Sequence, residues 1–220
     1  MELFVQQLTN GLAVGGIYAL IALGYTMVYG VLKLINFAHG DLFTIGAYLG
    51  LTLLTTLGLT NYLGPFGVVA VLALMVMGLV AIVGAALERV AYRPLRTSHR
   101  LSAVVSALGA SIFFQNAVML IYGARYKVYP HDILPRAAIH VFGLDIPVVR
   151  LLILATSILM MIALYLFIQR TKIGTAIRAA AIDQGAAKLM GINVDRVIMI
   201  VFLIGPALGG AAGLMVGLYY

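Results

Sequence analysis

Apolar residues run along this chain in six long blocks separated by short polar breaks. The blocks occupy residues 11–32, 42–57, 67–87, 101–122, 150–168 and 197–218. A helix needs roughly 20 apolar residues to cross ~30 Å of hydrocarbon at 1.5 Å per residue. The block at 42–57 is the short one, at ~24 Å. The blocks are continuous, without the alternation over about ten residues that marks the strands of a membrane barrel. The pattern predicts an all-α, polytopic membrane protein with about six spans, forming one transmembrane domain over residues 1–220.

The breaks supply a topology. Residues 88–100 carry Arg89, Arg93, Arg96 and Arg100, and residues 170–196 carry Arg170, Lys172, Arg178, Lys188 and Arg196. Lys and Arg are retained on the cytoplasmic side. Counting spans from these two loops puts residues 33–41 inside as well. The N-terminus, the turn near Pro65 and the proline-bearing loop at 123–149 then lie outside. Arg125, Lys127, Arg136 and Arg150 in that last loop run against the charge rule. Residues 143–147 read as a turn or short strand, and Pro94 ends its helix locally.

Composition narrows the class further. The 220 residues are 63% hydrophobic and only 10% charged, against about 25% charged in soluble domains. The chain cannot hide that much apolar surface within itself, so the lipid bilayer is its first partner. The net charge of +7 does not imply nucleic acid, because the basic residues sit where orientation explains them. There is no cysteine, which excludes disulfides and thiol chemistry. The N-terminus lacks a basic n-region, so the first apolar run is expected to be retained. The chain stops at Tyr220 directly out of an apolar run, as expected of an incomplete C-terminus.

Polar groups inside or beside the spans are costly and usually functional. Asn36, His39 and Asp41 cluster before the short block. They form either a cytoplasmic turn that caps the next helix or a helix break lining a polar cavity within the membrane. Gln115 and Asn116 lie deep in the fourth block and need another helix or a water-filled path. These five are candidate pathway or gate residues. His39 has no second His or Cys at ligand spacing, so no metal site is expected. Gly205, Gly209, Gly213 and Gly217 form a four-step ladder, a bare helix face against which another helix must pack closely. Pro206 beside it suggests a kink.

No phosphate loop, HExxH, GxSxG or CxxC occurs, and the glutamates, Glu2 and Glu88, are placed outside the spans. A proton-coupled carrier would need an acidic group at membrane depth, and Asp41 is the one candidate. The driving force is therefore expected from another subunit, received by the loop at 170–196. Residues 176–190 read as one short Ala-rich helix. Gly191 ends it, and Asn193 or Asp195 caps the next span. Composition leaves two roles open: seating in a groove on a partner, or lying on lipid. A self-contained secondary transporter or channel, and a membrane scaffold, are the rival classes.

Three segments add a resemblance. Residues 185–192, GAAKLMGI, resemble the EAA loop of ABC-importer permeases, with Gly185 in place of the acidic first residue and Asp183 two positions earlier. Residues 11–50 and 171–213 resemble the branched-chain amino acid permease family, and its shorter subunit more than its longer one. The likeness covers nearly the whole chain. It implies one half of a heterodimeric permease in a bacterial inner membrane, paired with a second homologous permease. Two ATP-binding subunits would carry ATP and magnesium, with no cofactor bound by this chain and no enzyme activity of its own. A periplasmic binding protein would deliver leucine, isoleucine, valine or a related compound. Some related permeases move urea or short amides. Coupling to the ATPase is assigned by the resemblance to Ala179, Ala180, Asp183, Ala186, Ala187 and Gly191.

Overall fold

The computed structural model describes residues 2–58, 63–96, 98, 100–130, 138–141 and 144–220. In chain order the helices are α1 (Glu2–Leu32), α2 (His39–Leu57), α3 (Pro65–Leu87), α4 (Arg100–Tyr122), α5 (Val148–Arg170), α6 (Lys172–Ile182), α7 (Gln184–Leu189) and α8 (Val194–Tyr219). Six of the described helices are long and apolar enough to cross a membrane: α1 to α5 and α8. The predicted all-α class therefore holds. A small antiparallel hairpin joins α4 to α5, with β1 (Ala138–Val141) paired to β2 (Leu144–Pro147). The expected turn near Pro65 lies partly outside the described residues, and residues 131–137 lie wholly outside them.

Helix α8 is the central post. Its span is 78% buried, against 11% for α4. The glycine ladder explains why. A Cβ at Gly205 would stand 2.8 Å from the Gly24 carbonyl of α1, and one at Gly213 would strike the Phe43 carbonyl of α2. At Gly217 it would collide with the Tyr129 ring. The ladder therefore faces α1 low down, α2 higher up, and the outer loop at its end. Gly210 opens a second face, against Gly46 of α2 and Val80 of α3. Without side chains at these points, backbones approach closely enough to gain dispersion contacts that lipid cannot match.

Pro206 lies inside α8, and the helix runs through it unbroken from Val194 to Tyr219. Proline has no N–H, so the Phe202 carbonyl loses its usual helical donor. Gly84 of α3 sits against that carbonyl and the Pro206 ring, where any Cβ would clash with both. Such a contact lets a Cα–H meet the freed oxygen.

Contacts sort the loops into two ends. At one end, Arg96 pairs with Glu88 and with Asp195 near the start of α8, the latter at 2.6 Å. There too the Gln184 amide donates to the Val31 carbonyl at 2.6 Å. At the other end, Tyr219 donates to Asn10 at 3.4 Å and Tyr129 to the Ala47 carbonyl at 2.5 Å. The alternation predicted from charge is thus the alternation of the bundle.

Two expectations change. Glu88 does not lie outside the bundle. Helix α3 continues as a π-turn over Glu88–Tyr92, and Glu88 is fully buried against Arg96. Hydropathy stops the span at Leu87 because it cannot register that a buried partner neutralises the carboxylate. The predicted single helix over residues 176–190 is two helices. Asp183 takes an extended conformation (φ −147°, ψ 114°), and its side chain accepts from the amides of Gly185 and Ala186. A short polar side chain bonded to the following amides competes with helix continuation.

Candidate functional site

The segment between α5 and α8 is built from caps. Thr171 accepts from Gly174 to start α6, Asp183 starts α7, and Asn193 accepts from the Arg196 amide at 3.0 Å to start α8. Gly191 closes α7. Its φ of +81° is the left-handed conformation that glycine adopts without penalty. The amide of Ile192 bonds the Ala187 carbonyl and that of Gly191 the Lys188 carbonyl, the paired bonds of a Schellman stop. Arg178 ties the segment back to the end of α5 by donating to the Ile168 carbonyl.

Of the four alanines expected to couple, Ala186 alone is exposed. Ala180 and Ala187 are buried against the bundle, and Ala179 is half-buried. What α6 and α7 present outward is Ile182, Leu189 and Met190, which are 87%, 91% and 82% exposed. Asp183, Ala186 and Gly191 share that outer side. The alternation of small and large residues in an Ala-rich stretch did not disclose which set faced out.

The second group of candidates lies within the bundle. Helix α1 ends where Lys33 adopts φ +56°, and the chain then folds back between the helices. Asn36 is buried. Its Oδ1 accepts from the Ala38 amide at 3.1 Å and from the Tyr92 hydroxyl at 2.9 Å. It therefore organises the approach to α2, while the N-cap position itself is Ala38. His39 is buried at the first residue of α2, edge-on to Tyr25. A Cβ at Gly24 would meet its ring at 3.1 Å, and one at Gly209 at 3.5 Å. Gly24 lies ~12 Å before the end of α1 by helical rise, and Gly209 is near the middle of α8. The break at residues 33–38 therefore starts at the α6–α7 end, where Val31 meets Gln184, and returns into the bundle, so that α2 begins at depth.

Asp41 follows in the first turn of α2. With Thr44, Tyr48, Phe114 and Gln115 it lines a cleft of about 260 Å³ between α2 and α4. Gln115 donates to Ser111 at 3.2 Å within α4. Asn116 bonds the Ile112 carbonyl at 2.7 Å and is exposed. So Asp41 and Gln115 share one cleft, Asn36 and His39 are enclosed beside α8, and Asn116 belongs to neither group.

Comparison with known proteins decides the family. The family described as branched-chain amino acid transport system / permease component matches residues 7–220. The chain belongs to the branched-chain amino acid permease family. The high-affinity branched-chain amino acid transport system permease protein BraD of Pseudomonas aeruginosa is 42% identical, over 99% of this chain and 72% of its own length. The corresponding permease protein LivH of Escherichia coli is 40% identical, over 99% of this chain and 71% of LivH. A probable permease of Methanocaldococcus jannaschii is 28% identical over 94% of this chain and 64% of its own. No solved structure matches.

Within this permease chain, several organising residues escape a reading of the sequence. Tyr129 is one. It leaves the outer loop and fills the space between Gly50 and Gly217, so a Cβ on either glycine would collide with it. Burial pushes its phenol well above the ordinary value, and the protonated hydroxyl donates to Ala47. Tyr92, Glu88 and Arg96 are others. Their signal is the π-turn, a geometry common at functional sites but invisible in hydropathy.

Proposed function

We propose that this chain is the permease subunit of an ABC importer, carrying branched-chain or closely related amino acids across a bacterial inner membrane by ATP-driven alternating access. The observation that carries the reading is the α6–α7 segment. It is held rigidly by three caps and a Schellman stop between α5 and the central α8, yet it offers Ile182, Leu189 and Met190 to the aqueous side. Apolar side chains displayed outside the spans mark a surface that a partner covers. A partner that moves there moves α8, and α8 touches α1, α2 and α3 through bare backbone. The Lys and Arg residues at this end of the bundle support reading it as the cytoplasmic face.

In this reading a second, homologous permease completes the pathway. Two ATP-binding subunits dock at the α6–α7 segments and hold ATP and magnesium, and a periplasmic protein delivers the amino acid. ATP binding draws the docked segments together and the spans open outward; hydrolysis reverses this. Coupling falls to the outward residues with Asp183, Ala186 and Gly191. Ala180 and Ala187 hold the segment to the bundle.

The test is uptake of labelled leucine by proteoliposomes containing the assembled transporter. Uptake should require ATP and the binding protein, and Gly191→Trp should separate ATP hydrolysis from uptake. A Cβ at Gly191 meets no neighbour, so this change acts on the stop and the docking surface rather than on the core. Uptake without the ATP-binding subunits would instead mark a secondary carrier.

A further inference from the structure

We propose that the cleft between α2 and α4 is an intramembrane site for a zwitterionic amino acid, with Asp41 binding the α-ammonium group. This rests on the transport reading above. Asp41 lines the cleft, and its Oδ2 is buried without a hydrogen-bond partner among the described residues. The ion pairs among those residues are Arg96 with Glu88 and with Asp195, so Glu88, whose Oε2 is also buried without a hydrogen bond, has a cationic partner and Asp41 has none. Glu88 is neutralised by its own chain; Asp41 is not. A carboxylate inside a bundle is expensive unless a cation meets it.

Depth and lining fit the same ligand. Asp41 lies two residues past His39, which sits level with Gly209 near the middle of α8. Thr44 lies one turn along α2, and Gln115 faces the cleft from α4 with an amide suited to the ligand's carboxylate. Phe114 and Val118 supply an apolar wall for a branched side chain. A volume of about 260 Å³ is just below the range of pockets for drug-sized ligands, about 300 Å³ upward, which suits a small amino acid and not a peptide. A discontinuous helix start near mid-membrane is a recurring place for such sites.

No cysteine occurs in these 220 residues, so an introduced cysteine serves as a reporter in the assembled transporter, with labelling compared against the same transporter lacking it. Thr44→Cys, or Gln115→Cys from the facing wall, is labelled in membranes with cationic MTSEA or anionic MTSES. The site predicts that millimolar leucine slows labelling, and that its desamino analogue 4-methylpentanoate does not. It also predicts that adding Asp41→Asn lowers the MTSEA-to-MTSES rate ratio by about tenfold, the factor ~1.4 kcal/mol of charge attraction produces, and that Asp41→Glu restores it. A merely structural Asp41 would not move this ratio. Unreactive cysteines at both positions, protection by sodium chloride but not by leucine, or an unchanged ratio in Asp41→Asn would each overturn the site. Failure of wild-type uptake to depend on ATP would instead overturn the importer reading, and is measured separately.

Discussion

Gly24 on α1 and Gly205 on α8 each stand where a side chain would strike the other's backbone. A Cβ at Gly24 would lie 2.6 Å from the Gly205 oxygen, and one at Gly205 would lie 2.8 Å from the Gly24 oxygen. Neither helix can rotate or shift here without first separating. Gly205→Ala is expected to cost about 1–3 kcal/mol through overpacking, seen as a lower melting midpoint of the purified protein in detergent. Gly209→Ala, whose Cβ would meet the His39 ring at an ordinary 3.5 Å, should leave the midpoint unchanged. Equal effects at the two positions would contradict this geometry.

Arg96 joins the end of the α3 extension to the start of α8 through Glu88 and Asp195. Arg96→Met leaves Glu88 buried without its partner and should destabilise by about 3–5 kcal/mol. Adding Glu88→Gln removes the stranded charge and should recover much of the loss. Thermal unfolding of Arg96→Met, Glu88→Gln and the double variant measures both effects, and additive losses would show that the two residues act independently.

Asp183 divides the segment between α5 and α8 into two helices by accepting from Gly185 and Ala186. Its replacement by Ala should cost about 1 kcal/mol, the usual value of an N-cap. The loss should stay local, with faster amide hydrogen exchange over residues 184–190 and an unchanged global midpoint.

Tyr129 closes the outer end with a ring and a hydroxyl that can be separated. Tyr129→Phe keeps the ring between Gly50 and Gly217 and forfeits the bond to Ala47, for a net loss of about 0.5–1.5 kcal/mol. Tyr129→Ala removes the filling as well and should cost about 3–5 kcal/mol. Thermal unfolding of the two variants orders the losses.

Hydropathy and basic charge together were enough to read the spans, their order and the two ends, because both are local properties of the chain. The glycine ladder was legible as a close-packing face for the same reason: four residues at helical spacing define a stripe. Which helix met each rung was not, since Gly205 meets α1 while Gly213 meets α2, and the switch depends on the fold-back at residues 33–38. Asn36, His39 and Asp41 stood out as polar groups beside an undersized span. Only tertiary packing separates their roles, with Asn36 bonded to Tyr92, His39 set among glycines and Asp41 lining a cleft. Helix propensity joined residues 176–190 because alanine dominates the sum, whereas a single cap at Asp183 decides the break. Glu88 was misplaced because its partner Arg96 lies across a π-turn.

In the proposed function α6 and α7 receive the motion of an ATP-binding partner through Ile182, Leu189 and Met190. The most direct measurement is purification of the tagged chain from its own membrane in mild detergent, with mass spectrometry of what accompanies it. Wild type should bring down a P-loop ATPase and a second permease. Leu189→Asp combined with Met190→Asp should keep the second permease and lose at least about nine-tenths of the ATPase, the effect of removing ~1.4 kcal/mol or more from a docking contact. Equal recovery of the ATPase from both proteins, or none from wild type that still takes up leucine, would contradict the account.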